Sequence, residues 1–255
     1  IFRTTGRLPA VVDENDAATL AKYEYRLALG DSKTARAAGF DMQKLEKDGF
    51  MVKTWPKGIV VEDCIISGGG HVYPEGIGVA LFLATDCRIE HNDICDFRYT
   101  GVSCGWNWRF EPTTNARNSI SFNHIRNVGL ETLSDLGGIY TLGESKGSLV
   151  LGNWIHDIDA YNHNGYGSWG LYSDEGSSYY SYVSNLVYKA KTGAAFQHLG
   201  RELRFEDNVY LKSPGGEIGT DPRYAFWREN AGVRGDAVWR QEAAALVPRR
   251  AVRPC

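Results

Sequence analysis

An asparagine set between two apolar residues recurs along the chain, and this repeat constrains the fold more than any other feature of the sequence. Two residues separate the first apolar position from the asparagine, and one residue separates the asparagine from the second. The five copies are Ile89-Asn92-Ile94, Ile120-Asn123-Ile125, Val150-Asn153-Ile155, Tyr182-Asn185-Val187 and Phe205-Asn208-Tyr210. An earlier copy, Val61-Cys64-Ile66, has cysteine in place of asparagine. Successive copies begin 23 to 32 residues apart, a spacing typical of stacked solenoid coils.

A second repeat, a glycine before a short run of alternating polarity, lies between the copies of the first. Its members are Gly78, Gly101, Gly138, Gly170 and Gly193. Four of these glycines precede the next repeat asparagine by 14 or 15 residues, whereas Gly101 precedes it by 22. The longer interval contains an insertion at residues 106–112. Two independent columns in near register favour stacked coils over an ordinary β-sandwich.

The two repeats predict an all-β fold, a single-stranded right-handed parallel β-helix solenoid with an N-terminal helical segment. Each coil of roughly 22 to 32 residues contributes two or three short strands, and the coils stack about 4.8 Å apart. Inward apolar side chains form the core. Inward asparagines at a tight turn bond one another and the backbone, as in the asparagine ladders of such solenoids.

The departures from the repeats divide the chain into three parts. Residues 1–57 contain two predicted helices, Asp16 to Leu29 and Ser32 to Lys47, which form a cap on the solenoid or an insertion into an early coil. Residues 58–230 form the β-helix, with about six coils. Residues 231–255 are rich in alanine and arginine and are predicted to be a C-terminal tail.

Composition excludes several classes of protein. With 43% hydrophobic and 23% charged residues, the chain is too apolar to be disordered, and it lacks an uncharged apolar run that would span a membrane. A net charge of −3 without a basic tract gives no expectation of a nucleic-acid partner. The cysteines form no CxxC pair, and we predict that Cys64, Cys87, Cys95 and Cys104 are buried small apolar residues. We expect a monomer without cofactor or metal, either a processed product or a fragment, since the chain opens at Ile1 without a signal peptide.

We expect function on the outer face of the coils, because the core fills the inner face. In the alignment on the second repeat, Val102, Ile139, Leu171 and Ala194 point inward, and the residues one and three places later point outward. This alignment gathers Tyr140, Tyr172, Asp174, Glu175, Gln197 and His198, with Trp106 and Trp108 from the insertion beside them. Amides and carboxylates bind sugar hydroxyls, and aromatic rings stack on pyranose rings. The predicted substrate-binding residues are Trp106, Trp108, Tyr140, Tyr172, Gln197 and His198.

Glycoside hydrolysis needs two carboxyl groups on either side of the scissile bond. The predicted catalytic candidates are Asp135, Asp174 and Glu175, with Glu144 and Glu111 in reserve. Asp135 and Asp174 each lie in a segment rich in serine and glycine, which equally suits a plain turn with the aspartate bonded to the backbone.

Several segments together resemble one protein family. They are Asn92 to Ile94, Tyr99 to Trp106, Ser134 to Gly143, Trp169 to Ser178 and Gln197 to Gly200. These segments are similar to secreted bacterial β-helix proteins of the pectate-lyase-like fold, of the glycoside hydrolase family 141 type, which includes α-L-fucosidases and xylanases. The resemblance covers residues 58–210. It implies a polysaccharide-degrading hydrolase, secreted or periplasmic, that uses two aspartates on neighbouring coils.

By motif position these aspartates are Asp135 and Asp174. Asp135 precedes its repeat glycine by three residues and Asp174 follows its own by four, an offset of about 23 Å on straight strands. The pair therefore requires the loop before Gly138 to fold back over the groove. Otherwise Asp174 with Glu175, or Asp174 with His198, is the better pair.

Two other functions remain open from the residues. A polysaccharide lyase on the same scaffold would use Tyr140, Tyr172 or His198 as the base, although the nearest cations are Lys146 and Arg201 and no dense aspartate cluster suggests calcium. A non-catalytic β-helix would bind a glycan without cleaving it.

Overall fold

The strands of the computed structural model coil repeatedly around one axis. The structure describes residues 57–161, 166–211 and 224–234. These residues all belong to one compact unit that spans residues 55–255. The predicted helices of the segment 1–57 lie outside the described residues, and of the predicted tail only residues 231–234 are described.

Seventeen strands form three sheets in the described ranges. The first sheet contains β1 (Val60–Glu62), β4 (Arg88–Glu90), β7 (Ser119–Ser121), β10 (Glu144–Leu151), β13 (Ser178–Val183) and β16 (Arg204–Glu206). The second contains β2 (Ile65–Ser67), β5 (Asp93–Phe97), β8 (His124–Val128), β11 (Trp154–Ile158), β14 (Leu186–Ala190) and β17 (Val209–Leu211). The third contains β3 (Val79–Leu81), β6 (Val102–Cys104), β9 (Leu136–Thr141), β12 (Ser168–Ser173) and β15 (Gly193–Gln197).

Successive strands of the chain go to different sheets, and each strand pairs in parallel with its counterpart one coil away. This arrangement confirms the predicted parallel β-helix. Inward side chains pile up along the axis because the pairing keeps each repeat in register with the next. The buried columns are Ile89-Ile120-Val150-Tyr182 from the first sheet, Ile94-Ile125-Ile155-Val187 from the second and Val102-Ile139-Leu171 from the third.

The predicted asparagine ladder is confirmed. Each repeat asparagine accepts, at its Oδ1, a hydrogen bond from the backbone N–H of the ladder residue one coil earlier, at 2.9 to 3.1 Å. Its Nδ2 donates to the carbonyl of the first apolar residue in the earlier copy, for example from Asn153 to Ile120 at 2.8 Å. At the first position of the ladder Cys64 contributes its backbone N–H, which donates to Oδ1 of Asn92 at 3.0 Å.

A second stack of polar side chains, which the sequence analysis missed, lines another turn of the coils. Asn118 accepts a hydrogen bond from the Cys87 N–H at 3.0 Å and donates to the Ala84 carbonyl at 2.8 Å. The N–H of Asn118 donates in turn to the hydroxyl of Ser148 at 2.9 Å. Because serine replaces asparagine after one coil, this stack leaves no repeat in the sequence.

The repeat glycines point inward against the second sheet, where no larger side chain fits. A Cβ on Gly138 would lie 2.5 Å from Cγ2 of Ile155 and 2.9 Å from the Gly170 carbonyl oxygen of the next coil. A Cβ on Gly170 would lie 2.1 Å from Cγ1 of Val187 and 2.8 Å from the Ala194 carbonyl oxygen. The column therefore continues at Ala194 and not at Gly193.

The predicted alignment is consequently wrong by one residue in the last coil. Leu171 pairs with Ala195, where Ala194 was predicted. Phe196 lies beside Tyr172, and Gln197 lies beside Ser173. In each case the carbonyl that excludes a side chain belongs to the following coil, and within the third sheet no described strand follows β15. Alanine is therefore accommodated at this position, and Gly193 was mistaken for the repeat glycine.

The predicted burial of the cysteines is correct for three of the four. Cys87, Cys95 and Cys104 are buried, whereas Cys64 at the first coil is only half-buried. Burial raises the pKa of the Cys95 thiol to about 12 and that of the Cys104 thiol to about 11, so both remain protonated at neutral pH.

Residues 224–234, named here the C-terminal strap, lie along the outer face of the second sheet. They include a short helix, α1 (Ala225–Asn230), whose Trp227 packs on Leu186 and Tyr188. Further along, Gly232 donates to the carbonyl of Phe122 at 2.8 Å, and Arg234 pairs with Asp63 of the first coil at 2.8 Å. Over the ranges that the structure describes, no helix has the length and apolar character to cross a membrane.

Two histidines form a hydrogen-bonded chain on this outer face, beside the strap. His124 Nδ1 bonds with Asp93 at 2.9 Å, and its Nε2 bonds with Nε2 of His156 at 2.8 Å. His156 Nδ1 bonds in turn with Asp157 at 2.5 Å. A Cβ on Gly232 of the strap would lie 3.3 Å from Cβ of His124, so the strap packs closely on this chain.

Stability should decrease in mild acid because of His156. Burial, with smaller effects from His124 and Arg126, lowers the pKa of His156 to about 4, against about 6.5 in an unfolded chain. Since the unfolded chain takes up the proton first, the free energy of unfolding falls as pH drops from about 6.5 towards 4. Urea unfolding at pH 7 and pH 5 measures this loss. His156→Phe should flatten the dependence, and an equal slope in both proteins would contradict the assignment.

Candidate active site

The outer face of the third sheet carries an aromatic pair at its centre. Ile139 and Leu171 point inward into the core, so the next residues, Tyr140 of β9 and Tyr172 of β12, point outward from paired positions. Their ring centroids lie 4.6 Å apart, with the planes at 65°. Leu142, Trp169 and Phe196 surround the pair and form an apolar cluster separate from the core of the coils.

The two tyrosines are hydrogen-bonded to two of the predicted catalytic carboxylates in a crossed arrangement. The Tyr172 hydroxyl donates to Oδ1 of Asp135 at 2.9 Å. The Tyr140 hydroxyl donates to Oδ2 of Asp174 in a short hydrogen bond. Asp135 immediately precedes β9 and Asp174 immediately follows β12. Tyr172 of β12 therefore holds Asp135, which precedes β9, and Tyr140 of β9 holds Asp174, which follows β12.

A local backbone conformation brings Asp135 to this cluster. Asp135 has a φ of 62°, in the left-handed region that aspartate tolerates better than most residues. Its N–H donates to the Gly167 carbonyl at 2.7 Å, which fixes the turn ahead of β9. The strand does not extend straight back from Gly138 through Asp135, so the offset of the sequence estimate does not apply. The structure brings Asp135 and Asp174 into one electrostatic cluster.

The surroundings of the cluster raise the pKa values of Asp135 and of both tyrosines. Burial raises the pKa of Asp135, and the charge of Asp174 raises it further, while the hydrogen bond from Tyr172 and the proximity of His198 oppose the shift. Burial and the carboxylates also raise the pKa of both Tyr140 and Tyr172. Both phenols therefore remain hydrogen-bond donors at neutral pH.

Tyr99 is a member of this cluster that the sequence analysis did not select. Burial, with the charges of Asp135 and Asp174, raises its pKa to about 12. It lies in the turn before Gly101, as Asp135 lies in the turn before Gly138. A comparison of the turns that precede successive repeat glycines would have found it. Phe196 was missed for another reason, since the register error assigned its place to Ala195.

The structure also locates three other predicted site residues, Glu175, His198 and Gln197. Glu175 follows Asp174 in a turn, with its backbone carbonyl bonded to the Gly143 N–H at 3.3 Å. His198 follows the Ser173–Gln197 pair, and its N–H donates to the Ser173 carbonyl at 2.7 Å. Its ring lies 6.0 Å from that of Phe196. The structure does not bring Gln197 to the cluster, because its register is that of an inward position and its amide donates to the Gly200 carbonyl.

The insertion at residues 106–112 forms a wall across the ends of three coils. Trp106 and Trp108 are about half exposed, with ring centroids 4.8 Å apart. The wall passes so close to two glycines that a Cβ on Gly143 would lie 2.6 Å from the Asn107 carbonyl oxygen, and one on Gly176 would lie 2.5 Å from that of Arg109. Arg201 anchors the far end by donating to the Phe110 carbonyl at 3.1 Å.

The two reserve carboxylates have other partners. Glu111 pairs with Arg109 on the exposed insertion at 3.6 Å, and Glu144 pairs with Lys146 on β10 at 2.8 Å. Within residues 57–161, 166–211 and 224–234, no group of three or more histidine, cysteine, aspartate or glutamate residues is arranged to hold a metal ion.

Comparison with known proteins gives one informative similarity. A solved structure described as "Glycoside hydrolase" superimposes with a TM-score of 0.58 at 26% sequence identity. The match covers 73% of this chain and 29% of that chain. This chain thus spans less than a third of the length of the structure it matches. No family model matches the sequence, and no curated protein matches it either.

Proposed function

We propose that the described coils form the catalytic centre of a glycoside hydrolase that cleaves a glycosidic bond with Asp135 and Asp174. The observation that carries the proposal is the crossed pair of tyrosine–carboxylate hydrogen bonds on the outer face of the third sheet. It holds two carboxyl groups together on a surface with aromatic side chains, as the reaction requires. The similarity to a structure described as a glycoside hydrolase supports the same reaction class.

The two aspartates have different roles in this proposal. A general acid must keep its proton near the working pH, and the raised pKa of Asp135 suits that role. Asp174 acts as the second carboxyl group, as nucleophile or as the base that activates water. The separation of the reacting carboxyl oxygens distinguishes these mechanisms, since retaining enzymes need about 5 Å and inverting enzymes about 6.5 to 9.5 Å.

For the substrate we propose a fucoside or a xylan, on the basis of the resemblance to glycoside hydrolase family 141. The exposed rings of Trp106 and Trp108, in the wall formed by the insertion, suit the apolar face of a sugar ring. An enzyme that acts on such polymers works outside the cytoplasm, and we propose a secreted or periplasmic monomer that acts on poly- or oligosaccharide.

A polysaccharide lyase is less well supported than a hydrolase. Such a lyase removes a proton with a deprotonated base. The raised pKa values of Tyr140 and Tyr172 disfavour the phenolate form in this cluster. A binding protein without activity is the other alternative, and the test below separates all three functions.

The test is a panel of fucosylated, xylan and pectic glycans incubated with the full chain and with Asp174→Asn. New reducing ends are expected from the wild type, without an unsaturated product that absorbs in the near ultraviolet, and Asp174→Asn should lose them. Glu111→Gln serves as a control, since Glu111 is exposed and pairs with Arg109. Near-ultraviolet absorbance would establish a lyase instead. Glycan binding without turnover in both proteins would establish a binding function.

A further inference from the structure

We propose that Tyr140 and Tyr172 are positioning residues, which fix the separation of the Asp135 and Asp174 carboxyl groups and do not bind substrate. The inference rests on the proposed function, because it assigns roles within the same reaction. It replaces the sequence-based interpretation of these tyrosines as sugar-binding residues.

Burial and bonding leave the two tyrosines little capacity to contact a sugar. Tyr140 is 5% exposed and Tyr172 is 1% exposed. Each hydroxyl already donates its single proton to a carboxylate. The rings pack against one another, and Phe196 lies 5.4 Å from Tyr172. Sugar contact is better provided by the exposed Trp106 and Trp108.

The crossed bonds tie the separation of the carboxyl groups to the strands. Tyr140 and Tyr172 occupy paired positions of β9 and β12, so backbone hydrogen bonds fix the spacing of the two residues. The edge-to-face packing of the rings fixes the direction of each hydroxyl. Because each tyrosine reaches the acid of the other strand, Asp135 and Asp174 cannot move apart without breaking a bond. Such rigidity is what a two-carboxyl reaction needs.

Tyr172 also affects the protonation of its partner. A donated hydrogen bond stabilises the charged form of a carboxyl group, so Tyr172 lowers the pKa of Asp135 against the effect of burial. Removing the hydroxyl should raise the pKa of Asp135 further. If Asp135 is the general acid, activity then persists to higher pH, because the proton is retained longer.

The experiment uses Tyr172→Phe and Tyr140→Phe, with Tyr210→Phe on the second sheet as the control. For both site variants we expect kcat to fall by about 10- to 100-fold, with KM changed by less than about twofold. In Tyr172→Phe the alkaline limb of the pH profile should move up by about 1 pH unit. An increase in KM at unchanged kcat would overturn the proposal in favour of substrate binding.

A titration without substrate separates this inference from the proposed function. Carbon-13 NMR of labelled aspartate carboxyls, assigned with Asp135→Asn, should show a higher midpoint for Asp135 in Tyr172→Phe than in the wild type. If that variant fails to fold, 3-fluorotyrosine at position 172, a stronger donor, should lower the midpoint instead. A shift without turnover on any glycan would support positioning and refute the hydrolase. Turnover without a shift would refute positioning alone.

Discussion

Replacement of Asp135 by asparagine is expected to lower kcat by about 10²- to 10⁴-fold on a natural glycan, the usual contribution of a general acid. The asparagine retains the size of the side chain and still accepts the Tyr172 hydrogen bond, but it has no proton to give. An aryl glycoside with an acidic phenol as leaving group needs little protonation. Its turnover should fall much less, and the ratio of the two losses measures the acid role directly.

The pH profile gives the second measurement on this variant. In the wild type, activity should decrease as pH rises through the raised pKa of Asp135, because the acid loses its proton. Asp135→Asn should lack this alkaline limb. Glu175→Gln is a matched control beside the site and should retain it. Equal losses on both substrates, with the alkaline limb intact, would assign the proton donor to another residue.

Asn153→Ala is expected to destabilise the protein by about 4 kcal/mol, which is large for a single substitution. The side chain accepts two hydrogen bonds from Asn123 and donates to Ile120 and Asn185, all at 2.8 to 3.0 Å. It is fully buried, so its loss leaves several polar groups without partners, at about 1 to 3 kcal/mol for each.

Urea unfolding of the full chain measures this effect, with Asn208→Ala as the matched control. Asn208 ends the described ladder, is only partly buried, and within the described ranges its side chain bonds to Asn185 and Tyr182. Its replacement should cost less than half as much. Similar losses at both positions would show that burial of the ladder does not determine its contribution.

The fold was predictable from the sequence because the ladder requires the same residue type at the same turn of each coil. Only asparagine has an acceptor and a donor on a side chain of the right length for these hydrogen bonds. The length of each coil can therefore be read from the spacing of Asn92, Asn123, Asn153 and Asn185. Glycine is required at Gly138 and Gly170 by a side chain of the second sheet and by a carbonyl of the following coil. That carbonyl has no counterpart in the described third sheet at Ala194, where the predicted register was wrong. The Asn118–Ser148 stack was missed because two residue types meet the same need.

The site was predictable only in part, because sequence alignment places residues but not side-chain directions. Asp135 and Asp174 were selected by residue type and resemblance, yet their proximity depends on the left-handed backbone at Asp135, which a straight-strand estimate ignores. The composition around Tyr140 and Tyr172 suggested sugar contact. Only the structure shows that their hydroxyls are already bonded to carboxylates.

The proposed centre draws its acids and its tyrosines from only two neighbouring coils. In a solenoid each coil contacts chiefly the coils on either side, so stability and geometry are local properties. These two coils, with the coil that supplies the insertion, therefore form a unit whose geometry does not depend on the more distant coils. Coils added at either end would lengthen the surface available to a polymeric substrate, while the proposed catalytic residues in the middle stay unchanged.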